Sequence, residues 1–395
     1  MLETAGLPSH VPSHLLIDFD PNHDAGLAVD VFQRLEQIRA SSPPIAYAPK
    51  AGGWMFFRED LIQKAFSDGE HFSTSLFNAG AQSGAPDMIP LCLDPPENGP
   101  WRMAVVRQLT PGKIKRLEGF VRAKAETLIA PIAARPSCDF LKEVAEPMPI
   151  SIFMELMGLP AEGYEEFRNL AVQIISPEGL DRNTPATAAA NARIIEILAD
   201  LIAQRREEPR DDLVSSLIQE TVAGEPIGPR ELLAICYVLF LGGLDTVVNA
   251  MSYGMRFLAM DAELQDSVRR DPATIPGIME QLLRRSTFVN PLRLVKKDID
   301  LEGITLKAGD IVWNMCGAAS NAPESDTGGP RHLAFGGGYH MCAGMHLARL
   351  ELRVLYETWF KHIGPFELDT DEGPIMAGGP TMLIKRLKLR LNAAN

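Results

Sequence analysis

The chain has 395 residues, 46% of them hydrophobic and 23% charged, a mixture that excludes a disordered or fibrous protein. Its 51 acidic residues outnumber 38 basic ones, and the net charge of −13 argues against nucleic acid as a partner. Five cysteines, Cys92, Cys138, Cys236, Cys316 and Cys342, lie far apart with no C-x-x-C pair, which excludes a disulfide scaffold and an ordinary zinc ribbon.

The first twenty residues lack a basic stretch followed by an apolar one, so no signal peptide is expected. Apolar residues then recur three and four apart over Val31 to Ala40, Leu117 to Ala134 and Ile194 to Arg206, which predicts amphipathic helices. A long apolar helix is expected from Leu232 to Met260, with Gly242 and Gly243 in its middle. Its longest apolar run, Leu232 to Leu244, ends at Asp245 and is too short to cross a bilayer. A shorter helix follows from Thr274 to Arg285, and another from Met345 to Trp359. Strand signals are few and sit late. Leu292 to Trp313 reads as short strands with turns at Glu302-Gly303 and Ala308-Gly309, and Thr381 to Leu391 as a terminal strand. Without repeats or linkers, the expectation is one domain over residues 1–395. It is mainly α (α+β), a large helical body with a small β portion, reduced, cytoplasmic and without a membrane.

The stretch richest in chemistry is Phe335-Gly336-Gly337-Gly338-Tyr339-His340-Met341-Cys342-Ala343-Gly344, directly before a helix. Glycines let a backbone approach a flat ligand. A cysteine at a helix start sits near the positive end of the macrodipole, which favours the thiolate. A lone thiolate suits an axial ligand to haem iron. Other readings stay open on these residues alone. Cys342 could be a small buried hydrophobe, and His332, His340, Cys342 and His346 could clip zinc, though at no ordinary spacing. A phosphate loop lacks its Gly-Lys-Ser/Thr. Within the long helix, Gly242-Gly243-Leu244-Asp245-Thr246 places an acid and a hydroxyl in apolar surroundings, where each glycine costs about 1 kcal/mol against alanine. A close helix crossing explains that segment equally well.

The ten residues Phe335 to Gly344 match the haem-binding signature of the cytochrome P450 family, F-G-x-G-x-H/R-x-C-x-G, at every defined position. Gly242 to Thr246 resembles the family's A/G-G-x-D/E-T motif on its oxygen-binding helix. Likenesses at His71-Phe72-Ser73, Asp87 to Pro96, Gly242 to Asn249 and Ile275 to Arg285 point to the bacterial camphor-hydroxylase group. The resemblance implies the P450 fold and haem b (iron protoporphyrin IX) with the Cys342 thiolate as axial ligand. Phe335 would shield the sulfur, and Gly344 and Gly242 would lie against the cofactor. Arg102 (after Asp94-Pro95-Pro96-Glu97 and Trp101), Arg293 and His340 would hold the propionates. Asp245 and Thr246 would deliver protons to bound dioxygen.

The resemblance also implies a distal pocket of Phe77, Pro86, Met88, Val238, Leu241, Gly242, Val289, Ile375 and Met376. As a set these suit a compact hydrophobic substrate such as a terpenoid. Pro86 stands where the camphor hydroxylase has a substrate-binding tyrosine, so camphor itself is not expected. No flavin or NAD motif is present, so electrons would come from an iron–sulfur ferredoxin and its reductase. That partner would be drawn by Arg107, Lys113, Lys115, Arg116, Arg349 and Arg353.

Two departures stand out. The family's Glu-x-x-Arg reads Gln281-Leu282-Leu283-Arg284 here, with Glu280 one position early, and the stretch from Asn321 to Phe335 is short. A coupled change is expected, with Gln281 and backbone carbonyls holding Arg284. The expected function is a haem-thiolate monooxygenase, the alternative being a degenerate haem protein that binds a hydrophobic ligand without turnover.

Overall fold

A computed structural model describes residues 7–78, 86–175, 184–322 and 332–391. The helical body starts with α1 (Val31–Ser41), whose first amides, Phe32 and Gln33, donate to the Asp30 carboxylate at 3.0 and 3.1 Å, an N-cap that satisfies two orphan donors. It continues through α2 (Glu59–Ser67), α3 (Asn98–Val106), α4 (Glu118–Ile129), α5 (Pro147–Met157), α6 (Pro185–Glu207), α7 (Pro229–Ala259), α8 (Ile275–Arg285) and α9 (Met345–His362). Proline in the first turn of α5, α6, α7 and α8 costs no hydrogen bond there and presets the backbone for the helix. The helices expected from periodicity are present, and α6 starts well before Ile194.

The axis of the molecule is α7, which packs against α5, α6, α8 and α9. It is long and apolar enough by composition to cross a membrane. Yet every residue from Val247 to Ala259 is buried inside the protein, so its apolarity is that of a core helix.

Ten strands matter for the site: β1 (Ile45–Ala48), β2 (Gly53–Phe56), β3 (Phe72–Ser73), β4 (Ser137–Asp139), β5 (Leu292–Val295), β6 (Ile311–Asn314), β7 (Phe366–Leu368), β8 (Ile375–Ala377), β9 (Leu383–Arg386) and β10 (Lys388–Leu391). The main sheet runs β1-β2-β6-β5-β3. Its one parallel pair, β2 with β6, sets Trp54 opposite Val312. The expectation that strands sit late is corrected by β1 to β4. All residues of β1 and β2 are buried, so neither carries the alternation by which a half-buried strand is read. Glu302 and Gly303, with φ of 56° and 82°, form the expected tight turn, between short strands Ile299–Leu301 and Ile304–Leu306. The single terminal strand is two: β9 pairs with β8, and β10 with β7 and β4.

Candidate active site

The cysteine loop is shaped by its glycines. Gly336 and Gly338 have φ of 65° and 59°, in the left-handed region that a side chain disfavours. A Cβ on Gly338 would also overlap the Phe66 carbonyl at the end of α2, so the loop lies flat on that helix. The Cys342 amide donates to the Phe335 carbonyl at 2.9 Å, closing the loop and fixing the sulfur ahead of α9. Burial raises the Cys342 pKa, against opposing pulls from the Gly344 amide, Arg102 and Arg349.

Cys342 opens into a cavity of about 230 Å³ walled chiefly by apolar side chains, among them Val105, Phe153, Ile235, Val238, Leu239 and Leu347. Gly242 and Gly243 of α7 line it too, and a Cβ on Gly242 would meet nothing within 4 Å. One turn along α7, the Thr246 hydroxyl donates to the Gly242 carbonyl at 2.6 Å. Asp245 is buried, and its Oδ1 accepts from Asn249 Nδ2 at 3.0 Å. Asn249 in turn accepts the Ile384 amide at 3.0 Å, tying the acid's neighbour to β9.

Basic groups gather at one end of the cavity. Arg102 and His340 line it, and Arg102 donates to the Met341 carbonyl. Arg293, at the middle of the main sheet, is 4% exposed and lies over the Phe66 ring at 5.0 Å. Burial lowers its pKa to about 10. Burial first, then the charges of Arg293 and Arg102, hold His340 at about 4, so it is neutral near pH 7. Its Nε2 lies 3.2 Å from the Thr74 hydroxyl. Nearby Asp94 is engaged by Lys296 and the Thr74 amide at 3.2 and 3.0 Å. Among the described residues neither Arg102, half-buried at the cavity wall, nor Arg293, buried in the sheet, has a carboxylate within ion-pair distance, and Asp94 acts on Arg293 only at longer range.

The family model for cytochrome P450 matches residues 180–388. Two solved structures cover 98% of this chain: CYP101C1 at 30% identity, TM-score 0.90 and 100% of its own length, and CYP101J2 at 31%, 0.88 and 99%. The erythromycin C-12 hydroxylase of Saccharopolyspora erythraea is 31% identical over 86% of this chain and 88% of its own. The chain belongs to the cytochrome P450 family. It is thus a monooxygenase of bacterial type, carrying a haem with a cysteine thiolate as axial ligand. Its substrate is hydrophobic, and it uses O2 with electrons from redox partners.

The residues fit that haem. The cavity is apolar where a macrocycle would lie, glycine-lined where it would need clearance, and cationic where two propionates would need partners. A Cβ on Gly344 would sit 3.9 Å from the Cys342 sulfur, so a side chain there would crowd the same space. The lining residues Val105, Phe153, Ile235, Leu239 and Leu347 were not in the expected pocket, and one acidic lining group also escaped the sequence reading. Glu351 of α9 is 1% exposed, its Oε2 lacks a hydrogen-bond partner, and burial raises its pKa well above the usual carboxylate range. A glutamate inside an amphipathic pattern gives no sign that it points inward.

The expected pocket residues separate. Val238 and Gly242 border the cavity, whereas Pro86, Met88, Leu241, Val289 and Met376 do not. Ile375 is 43% exposed at the start of β8, and the Phe77 side chain lies outside the described residues. The family's Glu-x-x-Arg cluster is also rearranged. Gln281 is exposed on α8, so the expectation that it holds Arg284 is corrected, while the carbonyl half stands: Arg284 Nε donates to the Ser320 carbonyl at 3.0 Å. The acid in use is Glu280. Its Oε1 and Oε2 accept from Arg349 at 2.6 and 3.0 Å, and Oε2 lies 3.0 Å from His332 Nε2. The basic face is half neutralised as well. Arg353 pairs with Glu118 and Glu357, and Arg107 with Glu220. Lys115 and Arg116 remain exposed. The shortened stretch falls largely in 323–331, outside the described residues.

Proposed function

We propose that Cys342 is the axial ligand and that the protein hydroxylates a compact, terpenoid-like hydrocarbon within one domain spanning residues 1–395. An iron–sulfur ferredoxin and its reductase would supply the electrons. The observation that carries this reading is the Cys342 sulfur at an apolar cavity that Gly242, Arg102 and His340 also line. The haem, when bound, supplies dioxygen activation at its iron, so one oxygen atom enters a C–H bond and the other leaves as water.

The chain's own groups do the rest. Arg102 and Arg293 would take the two propionates as guanidinium–carboxylate pairs, with neutral His340 as a hydrogen-bonding neighbour. Thr246 Oγ carries a proton held on the Gly242 carbonyl, and Asp245 waits one residue earlier with an oxygen oriented by Asn249. That acid–alcohol pair suits proton delivery to dioxygen, and its presence argues against the binder without turnover. Val238, Leu239 and Phe153 exclude water and offer a substrate only apolar contacts.

A reduced, carbon-monoxide-treated sample is expected to show the red-shifted Soret band of thiolate-ligated haem, and Cys342→Ser to abolish it. An unchanged spectrum in that variant would remove Cys342 from the role. NADH consumption coupled to hydroxylated product, in a reconstituted ferredoxin system with a terpenoid panel, tests the substrate class. Consumption without product across that panel would favour a different hydrocarbon.

A further inference from the structure

Glu280 does more in this fold than neutralise a surface arginine. Its carboxylate grips Arg349 through two parallel hydrogen bonds, at 2.6 and 3.0 Å, the fork-on-fork geometry that fixes a guanidinium in one plane. That plane lies over Phe335, with the guanidinium carbon 4.5 Å from the ring centroid. Phe335 is the residue whose carbonyl accepts the Cys342 amide at 2.9 Å. The third contact of Glu280, His332, is 3% exposed and begins the same loop. The Ala334 amide donates to His332 Nδ1 at 3.2 Å, so Nδ1 is the acceptor nitrogen. Nε2 then carries a proton and donates to Glu280. Among the described residues the cluster pairs one carboxylate with one guanidinium and bridges α8 to both ends of the segment that carries the sulfur.

We propose that Glu280 is a positioning residue for the thiolate site, holding Arg349 flat on Phe335 and cancelling its charge as felt at Cys342 Sγ. The role belongs to this chain's particular sequence. Gln281, at the family's acid position, is exposed, and the acid one residue earlier faces the cysteine loop instead. The inference rests on Cys342 being the iron ligand, and its sign follows from electrostatics. An uncompensated cation near the sulfur stabilises the more electron-rich ferrous state, and loss of the cation does the opposite.

The test is spectroelectrochemical titration of the haem-loaded protein. Glu280→Gln keeps shape and an accepting oxygen but removes the charge. It is expected to raise the ferrous-to-ferric ratio at fixed potential by about threefold to tenfold, tenfold being ~59 mV for one electron. Arg349→Gln is expected to lower that ratio by a similar factor, and the double variant to return close to wild type. Equal potentials in wild type and Glu280→Gln, or single shifts that simply add in the double variant without opposing one another, would overturn the proposal. If Glu280→Gln alone fails to take up haem, the double variant is expected to take it up, because the lone cation is gone. Failure of both would show that Glu280 does not act through Arg349. The ferrous carbon-monoxide spectrum of the wild type is recorded alongside. Loss of the thiolate band there would sink the Cys342 assignment itself, whatever the potentials do.

Discussion

Two glutamates 71 positions apart in number, Glu280 and Glu351, show how surroundings give one residue type opposite roles. Burial would raise the pKa of Glu280, but the hydrogen bonds from His332 and Arg349 outweigh it and hold the group at about 2. Its folded pKa lies below the ordinary 4.5, so its stabilisation is present above pH 4.5 and is lost as pH falls through 2. That is up to about 3 kcal/mol by the usual conversion. Glu351 Oε2 has no hydrogen-bond partner among the described residues, and burial raises the group's pKa. Its contribution runs the other way, being whole below pH 4.5 and declining as pH rises, because the unfolded chain then ionises more readily than the folded one. Urea denaturation from pH 3 to pH 8 is expected to show Glu280→Gln losing less stability than wild type on the acid side. Glu351→Gln is expected to be less destabilised than wild type between pH 5 and pH 8. Parallel profiles for all three proteins would contradict both assignments. Neither role was legible beforehand. Glu280 was visible only as an acid out of register, and Glu351 only as a helical residue, since ion-pair partners 52 and 69 positions away cannot be read from spacing.

The cysteine loop and the helix beneath it form the element on which the site turns. At Gly338 two constraints coincide, a positive φ and contact with the Phe66 carbonyl. Gly338→Ala is therefore expected to cost about 1–3 kcal/mol through strain and displacement. It should also speed haem loss, followed by transfer to apomyoglobin. Gly119→Ala is the counterpart, in α4 where a Cβ would meet nothing within 4 Å. It is expected to stabilise by a few tenths to ~1 kcal/mol. An equal response at the two glycines would mean that the loop does not rest on α2. The motif was readable in the sequence because its chemistry is local: a sulfur, a turn and a helix start within ten residues. Its seat on α2 was not, because that contact joins residues more than 270 positions apart.

For the molecule as a whole, an acidic chain must still receive electrons from a partner proposed to be acidic. Half of the basic residues that suggested a docking face are spent on ion pairs, Arg353 on Glu118 and Glu357, Arg107 on Glu220 and Arg349 on Glu280. Lys113, Lys115 and Arg116 are left exposed. Steering by so few charges is short-ranged, since screening sets in at about 8–10 Å near physiological salt. The rate of haem reduction by a ferredoxin is accordingly expected to fall with added salt, and Lys115→Glu with Arg116→Glu to slow it about tenfold at low salt. A rate indifferent to salt would point to an apolar docking surface instead.

Local chemistry was written plainly in the amino-acid order. Six of the nine labelled helices followed from the sequence pattern, but not α2, α3 or α5; the family followed from ten residues around Cys342, and the acid–alcohol pair from five residues of one helix. The remainder came from contacts between distant segments. Strands β1 and β2 are buried on both faces and carry no alternation, so only the sheet reveals them. The pairing of Arg349 with Glu280, and the burial of Arg293, exist only once helices and sheet are packed together. A side chain's neighbours along the chain set its conformation, but its charge state and partners depend on groups that the fold brings from elsewhere.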